Sequence, residues 1–126
     1  MSSPHTILVV DDDDQLRTIA VRILRRSGYT TLEASDGAAA LAIAKGAAIH
    51  VVLTDVFLPG MEGSTMAAAM RAIYPELPIV FMSGGDETVA KTEEIKGSLF
   101  LPKPFTPKSL SETVARALSS PATSGE

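Results

Sequence analysis

Four segments of this 126-residue chain carry side chains that could do chemistry together. Asp11, Asp12, Asp13 and Asp14 form an unbroken acidic run, Asp55 closes a short apolar stretch, Ser83 precedes Gly84 and Gly85, and Lys103 precedes Pro104. Taken singly, each has a bland reading: a solvated turn or helix cap, a second cap, a turn serine and a surface lysine. Gathered in one place they are something else. Three carboxylates crowd together only at a cost unless a cation lies among them. Oxygen donors without His or Cys select a hard ion such as Mg²⁺ or Mn²⁺, which keeps several waters and takes one or two carboxylates plus a phosphoryl oxygen. A carboxylate beside such an ion is a nucleophile toward phosphorus and yields an acyl phosphate. Phosphoryl transfer needs charge neutralisation more than acid or base help, and an ammonium such as Lys103 supplies it.

Whether these segments meet depends on the elements that carry them. Short apolar runs alternate with helical patterns, the signature of βα units and a parallel sheet. The runs at 7–10, 51–53 and 79–82 are apolar at every position, as strands covered on both faces are. Two weaker strands, 29–34 and 98–101, belong nearer the sheet edges. Leu16, Ile19, Ala20, Ile23 and Leu24 mark the buried stripe of a first helix, capped by Asp13 or Asp14 and ended by Gly28. A second helix follows Asp36 through the alanines to Lys45 and Gly46. A third carries Met66, Met70 and Ile73, and the last starts with Thr106 as N-cap and Pro107 at the first position, then presents Leu110, Val114, Ala117 and Leu118. The weakest helical pattern covers 86–97. In an open α/β sheet the functional groups collect at the carboxyl ends of the strands, and Asp11 with Asp12, Asp55, Ser83 and Lys103 each follow one of the apolar runs.

Composition narrows the class. Hydrophobic residues are 45% of the chain against 21% charged, so it packs as one globular domain. The formal net charge is −4 and the basic residues are scattered, which argues against nucleic-acid binding. There is no cysteine, hence no disulfide or thiolate chemistry. No apolar run is long enough to cross a bilayer and residues 1–6 lack a signal-peptide pattern, so a cytoplasmic protein without membrane contact is expected.

In the order and spacing of its motifs the chain resembles the response-regulator receiver family of two-component and phosphorelay signalling. The segments are Ile-Leu-Val-Val-Asp-Asp at 7–12, Leu-Thr-Asp-Val-Phe-Leu-Pro-Gly-Met-Glu-Gly at 53–63, Phe-Met-Ser-Gly at 81–84 and Lys-Pro-Phe-Thr at 103–106. The resemblance implies a flavodoxin-like, three-layer (βα)5 fold with a five-stranded parallel sheet in strand order 2-1-3-4-5. It divides the chain into an N-terminal extension (1–5), a receiver domain (6–118) and a flexible tail or linker (119–126). It makes Asp55 the phosphoacceptor, Asp12 a direct metal ligand, Asp11 a ligand through water and the Phe57 carbonyl a further ligand. Ser83 and Lys103 would bind the phosphoryl oxygens, the bond before Pro104 would be cis, and Phe100 would report phosphorylation to the surface of the fourth helix, fifth strand and fifth helix. The implied partners are a sensor histidine kinase or a histidine phosphotransfer protein and a downstream protein, with the chain a monomer or weak dimer. The Phe-Leu-Pro-Lys-Pro-Phe stretch is similar to receivers attached to hybrid histidine kinases. Phe57, Gly85 and Glu62 depart from the common pattern, and the first two stand where side chains influence phosphate loss.

Three rival readings remain. Asp11-x-Asp13 also resembles the opening motif of haloacid-dehalogenase-like phosphatases, with Asp11 the nucleophile, but only Glu112 and Glu126 follow Lys103 where that family needs a late acidic pair. A flavodoxin would meet its cofactor phosphate with a repelling aspartate loop. A pseudo-receiver would keep the fold and act by contact alone. His5 and His50 are expected on the surface, away from the rim.

Overall fold

The computed structural model describes residues 5–84 and 98–119. Along them run β1 (Thr6–Val10), α1 (Asp14–Arg26), β2 (Thr30–Ala34), α2 (Gly37–Gly46), β3 (Val51–Asp55), α3 (Gly63–Ile73), β4 (Ile79–Ser83), β5 (Leu99–Pro102) and α4 (Pro107–Ser119). The helix expected over 86–97, Gly85 and the tail from 120 onward lie outside the described residues. All strand pairs are parallel and the order is β2-β1-β3-β4-β5. The two weakly apolar strands are the edges, as expected, because an edge strand is half-covered and needs fewer apolar side chains.

The continuous apolar runs arise from helices on both faces. Leu8, Val10, Val52, Ile79 and Phe81 pack with Ala40 and Ala44 of α2 and Met66, Ala67 and Met70 of α3. Their alternates Ile7, Val9, Val51, Leu53, Val80 and Met82 pack with Ala20, Val21 and Leu24 of α1 and Leu110, Val114 and Ala117 of α4. Helix ends are chemically defined. Asp13 caps α1 by accepting from the backbone N–H groups of Gln15 and Leu16, while Arg25 and Arg26 complement its C-terminal dipole and Gly28 turns the chain at φ 98°. Asp36 caps α2 through the Ala39 N–H. Thr106 and Ser109 cap α4 reciprocally, each side-chain oxygen accepting from the other's backbone N–H.

Two helices are turned relative to the sequence-based stripes. In α1 the buried residues are Ala20, Val21 and Leu24, whereas Ile19 is 47% exposed. In α3 they are Gly63, Met66, Ala67 and Met70, and Ile73 is 37% exposed. In both the stripe runs i, i+3, i+4, i+7, starting at Arg17 in α1 and Gly63 in α3. A polar guanidinium and a missing side chain hide those starting points from a hydrophobicity pattern.

Gly63 lets α3 begin hard against the end of β3. Its N–H donates to the Val56 carbonyl at 2.7 Å. A Cβ there would overlap the Asp55 carbonyl oxygen and lie 3.1 Å from the Val56 Cα. Between strand and helix, the 56–62 loop turns at Gly60, φ 75°. Gly63→Ala is expected to lower unfolding free energy by about 1–3 kcal/mol in urea titrations, the usual cost of overpacking. Gly46→Ala, where an added Cβ meets nothing within 4 Å, is expected to be neutral or to stabilise by roughly 0.5 kcal/mol in the same assay.

Candidate functional site

The strand order reverses at β1 and β3, which opens a crevice at their carboxyl ends. Asp11 and Asp12 follow β1 directly and Asp55 is the last residue of β3, so the crevice is walled by carboxylates. One carboxylate oxygen from each of Asp11, Asp12 and Asp55 lies within 4.8 Å of the others. Asp11 is buried, Asp55 is partly buried and Asp12 is exposed.

Lys103 reaches this cluster from beyond β5. Its Nζ donates to Asp55 Oδ2 at 3.2 Å and to Asp11 Oδ2 at 3.5 Å. Its backbone N–H donates to the Ser83 carbonyl at 3.0 Å, and the Lys103–Pro104 peptide bond is cis. Ser83 is buried and ends β4, the strand between β3 and β5. The Phe57 N–H donates weakly to Asp55 Oδ1 at 3.4 Å, while the residue is 49% exposed. Phe100 stands in register with Phe81 and packs, partly buried, against the core on the α2 and α3 side. Asp11, Asp12, Asp55 and Lys103 therefore meet as one group; Ser83 and Phe57 sit at the ends of its strands, and Phe100 packs into the core one strand further out.

Burial raises the Asp11 carboxyl above its ordinary value, an effect opposed by the Asp13 N–H, which donates to Asp11 Oδ1 at 2.9 Å, and by Lys103. Asp12 makes no hydrogen bond or ion pair among the described residues. A donor set made only of carboxylate oxygens, one of them exposed and unengaged, suits a hard divalent cation.

Arg17 is a member of the site's surroundings that the sequence pattern does not single out. Its guanidinium donates to the Asp11 backbone carbonyl at 2.7 Å, to Glu33 at 3.1 Å and to Asp14 at 2.7 Å. Of these contacts the sequence signals only the Asp14 pair, three residues apart on one helix. The histidines also differ from expectation. His5 and His50 are half-buried at the amino ends of β1 and β3, away from the carboxylate rim, their rings 5.2 Å apart and edge-to-face, and His50 Nδ1 accepts the Thr6 N–H at 2.9 Å. They tie the starts of β1 and β3 together.

Residues 7–115 match the response regulator receiver domain profile. The chain belongs to the response-regulator receiver family. It is 36% identical over 94% of its length to sensor kinase CckA of Brucella abortus, covering 13% of that protein. It is 37% identical over 94% of its length to the DNA-binding transcriptional regulator NtrC of Azospirillum brasilense, covering 25% of it. Among solved structures, chemotaxis protein CheY4 of Vibrio cholerae superposes with a TM-score of 0.86 at 31% identity, over 92% of this chain and all of that one. The receiver domain of hybrid histidine kinase CckA superposes with a TM-score of 0.76 at 38% identity, over 90% and 98%. The chain spans half or less of the length of the curated relatives it matches. Receiver domains are signalling domains of two-component systems, and no helix among the described residues is long and apolar enough to cross a membrane.

The buried acid of this receiver gives a pH-dependent prediction. Because burial lifts the Asp11 value in the folded state, folding favours its protonated form. That contribution is complete below the unfolded value of 3.8 and is lost as pH rises through the folded-state value. At neutral pH and without divalent cation, Asp11→Asn is expected to raise the melting temperature. The gain should shrink as pH falls toward 4 in calorimetric scans.

Proposed function

We propose that this domain accepts a phosphoryl group on Asp55 from the phosphohistidine of a sensor histidine kinase or a histidine phosphotransfer protein, assisted by Mg²⁺ or Mn²⁺. The observation that carries the reading is the pairing of the Lys103 ammonium with Asp55 at the edge of a three-carboxylate cluster. In the transfer an Asp55 oxygen forms the new bond to phosphorus and the P–N bond of the donor breaks, its electron pair returning to the imidazole. Asp12, Asp55, Asp11 through water and the Phe57 carbonyl would hold the cation, which neutralises charge on the phosphoryl oxygens. Lys103 is placed to bind another of those oxygens, and the Ser83 hydroxyl to take a third once its loop adjusts. Phe100 would follow that movement and carry it to the surface of β5 and the last helix.

Access favours Asp55 over Asp11 as acceptor. The Asp11 side chain is 1% exposed, with both oxygens engaged, whereas that of Asp55 is 17% exposed. Asp13, which a haloacid-dehalogenase-like reading would use in catalysis, is engaged as the α1 cap.

Incubation with a small phosphodonor and Mg²⁺ is expected to give acid-stable, alkali-labile phosphate on wild type, essentially none on Asp55→Asn and strongly reduced incorporation on Lys103→Ala. Label on Asp11 in peptide mapping would favour the phosphatase reading; none on wild type would leave a contact-only module. Phe57 follows Asp55 by two residues, its backbone N–H donates to the Asp55 carboxylate and the residue is exposed, so its bulky side chain would hinder water attacking the acyl phosphate. Phe57→Asn is therefore expected to shorten the phosphate lifetime severalfold in decay assays, and unchanged decay would remove that role.

A further inference from the structure

Asp12 is the exposed carboxylate of the cluster, and nothing among the described residues bonds to it. Its position is therefore set by the backbone on either side. The Asp11 N–H donates to the Ala34 carbonyl at 3.1 Å, the Asp13 N–H donates to Asp11 Oδ1 at 2.9 Å, and Asp13 is locked as the α1 cap. One bond remains that comes from a long side chain: Arg17 Nη1 to the Asp11 carbonyl at 2.7 Å. That carbonyl belongs to the peptide group joining Asp11 to Asp12, so fixing it fixes where the Asp12 side chain starts.

The guanidinium is itself held. It lies on the sheet-facing stripe of α1, its side chain only 16% exposed, and Nε donates to Glu33 at the end of β2 while Nη2 donates to Asp14. Planar, always charged and forked, it serves three acceptors in fixed directions, which a lysine cannot do. Asp14 is 81% exposed, so the Asp11 carbonyl and Glu33 are the contacts that orient it.

We propose that Arg17 is a positioning residue for the cation site: it holds the Asp11–Asp12 peptide so that the Asp12 carboxylate is pre-set for Mg²⁺, with Glu33 as its brace. This rests on the metal-assisted reading of the cluster. Outer groups that orient metal ligands typically change metal affinity by about 10–100-fold when removed.

The experiment is calorimetric titration of Mg²⁺ alone into wild type, Arg17→Met, Arg17→Lys and Arg25→Met, with melting curves of each in metal-free buffer. Arg25 ties α1 to β2 through a 2.8 Å bond to Thr31 without touching the acidic loop, so its variant reports general loosening of the same helix. Arg17→Met is expected to weaken Mg²⁺ binding by about tenfold or more, with Arg17→Lys intermediate and Arg25→Met like wild type whatever its melting temperature. Should Arg17→Met not fold, the Arg17→Lys comparison carries the same decision. Binding by the Arg17 variants within about twofold of wild type, or an equal loss in Arg25→Met, would overturn the proposal. Absence of Mg²⁺ binding by wild type would instead overturn the metal-assisted reading, and this assignment with it.

Discussion

Three carboxylates at the mouth of one crevice repel each other, and the structure around them is organised by that repulsion. Asp11 is buried and destabilised as an anion, Asp55 is partly buried, and Asp12 faces solvent. A single ammonium, Lys103, lies across two of them and offsets part of the cost. Such a site stores a standing demand for positive charge. A cation would answer it, and under the proposed function a phosphoryl group on Asp55 would bring new negative charge for that cation and Lys103 to share. Under that reading, stability and signalling would draw on the same electrostatic imbalance.

The fold holds that imbalance in place with rigid, mostly backbone devices. The three carboxylates and Lys103 leave from the carboxyl ends of β1, β3 and β5, and each exit is pinned: Asp11 to Ala34, Lys103 to Ser83, and α3 to β3 through Gly63. Phe57 sits in the loop that Gly63 draws tight, with its backbone N–H donating to Asp55 and the residue half exposed. Arg17 adds a second long side chain to this scaffold beside Lys103. In α1 it occupies a position that an apolar residue would normally fill, trading core burial for a charge beneath the acidic loop.

The alternation of apolar runs and helical patterns is legible without coordinates, and so are the buried central strands, the Thr106 cap, the turn at Gly28 and, to within one residue, the cap of the first helix. Each of these depends on residues close in sequence, where propensity and periodicity act directly. Strand order and the roles at the rim come from resemblance of motifs, since no single strand carries information about its neighbour. The faces of α1 and α3 are less legible. Hydrophobicity places Ile19 and Ile73 in the buried stripes, while Arg17 and Gly63, which occupy them, carry no apolar signal.

What the chain alone determined is therefore the kind of each element and the chemical types at each strand end: oxygen acids after β1 and β3, a hydroxyl after β4, an amine after β5. Tertiary structure decided which of these meet, that Arg17 reaches under the Asp11 carbonyl to brace against Glu33, and that His50 accepts from Thr6 at the amino ends of β1 and β3. The physical reason is one of range. Hydrophobic periodicity reports an element's own faces, whereas a hydrogen bond between residues far apart in sequence exists only once the crossovers have laid the strands side by side.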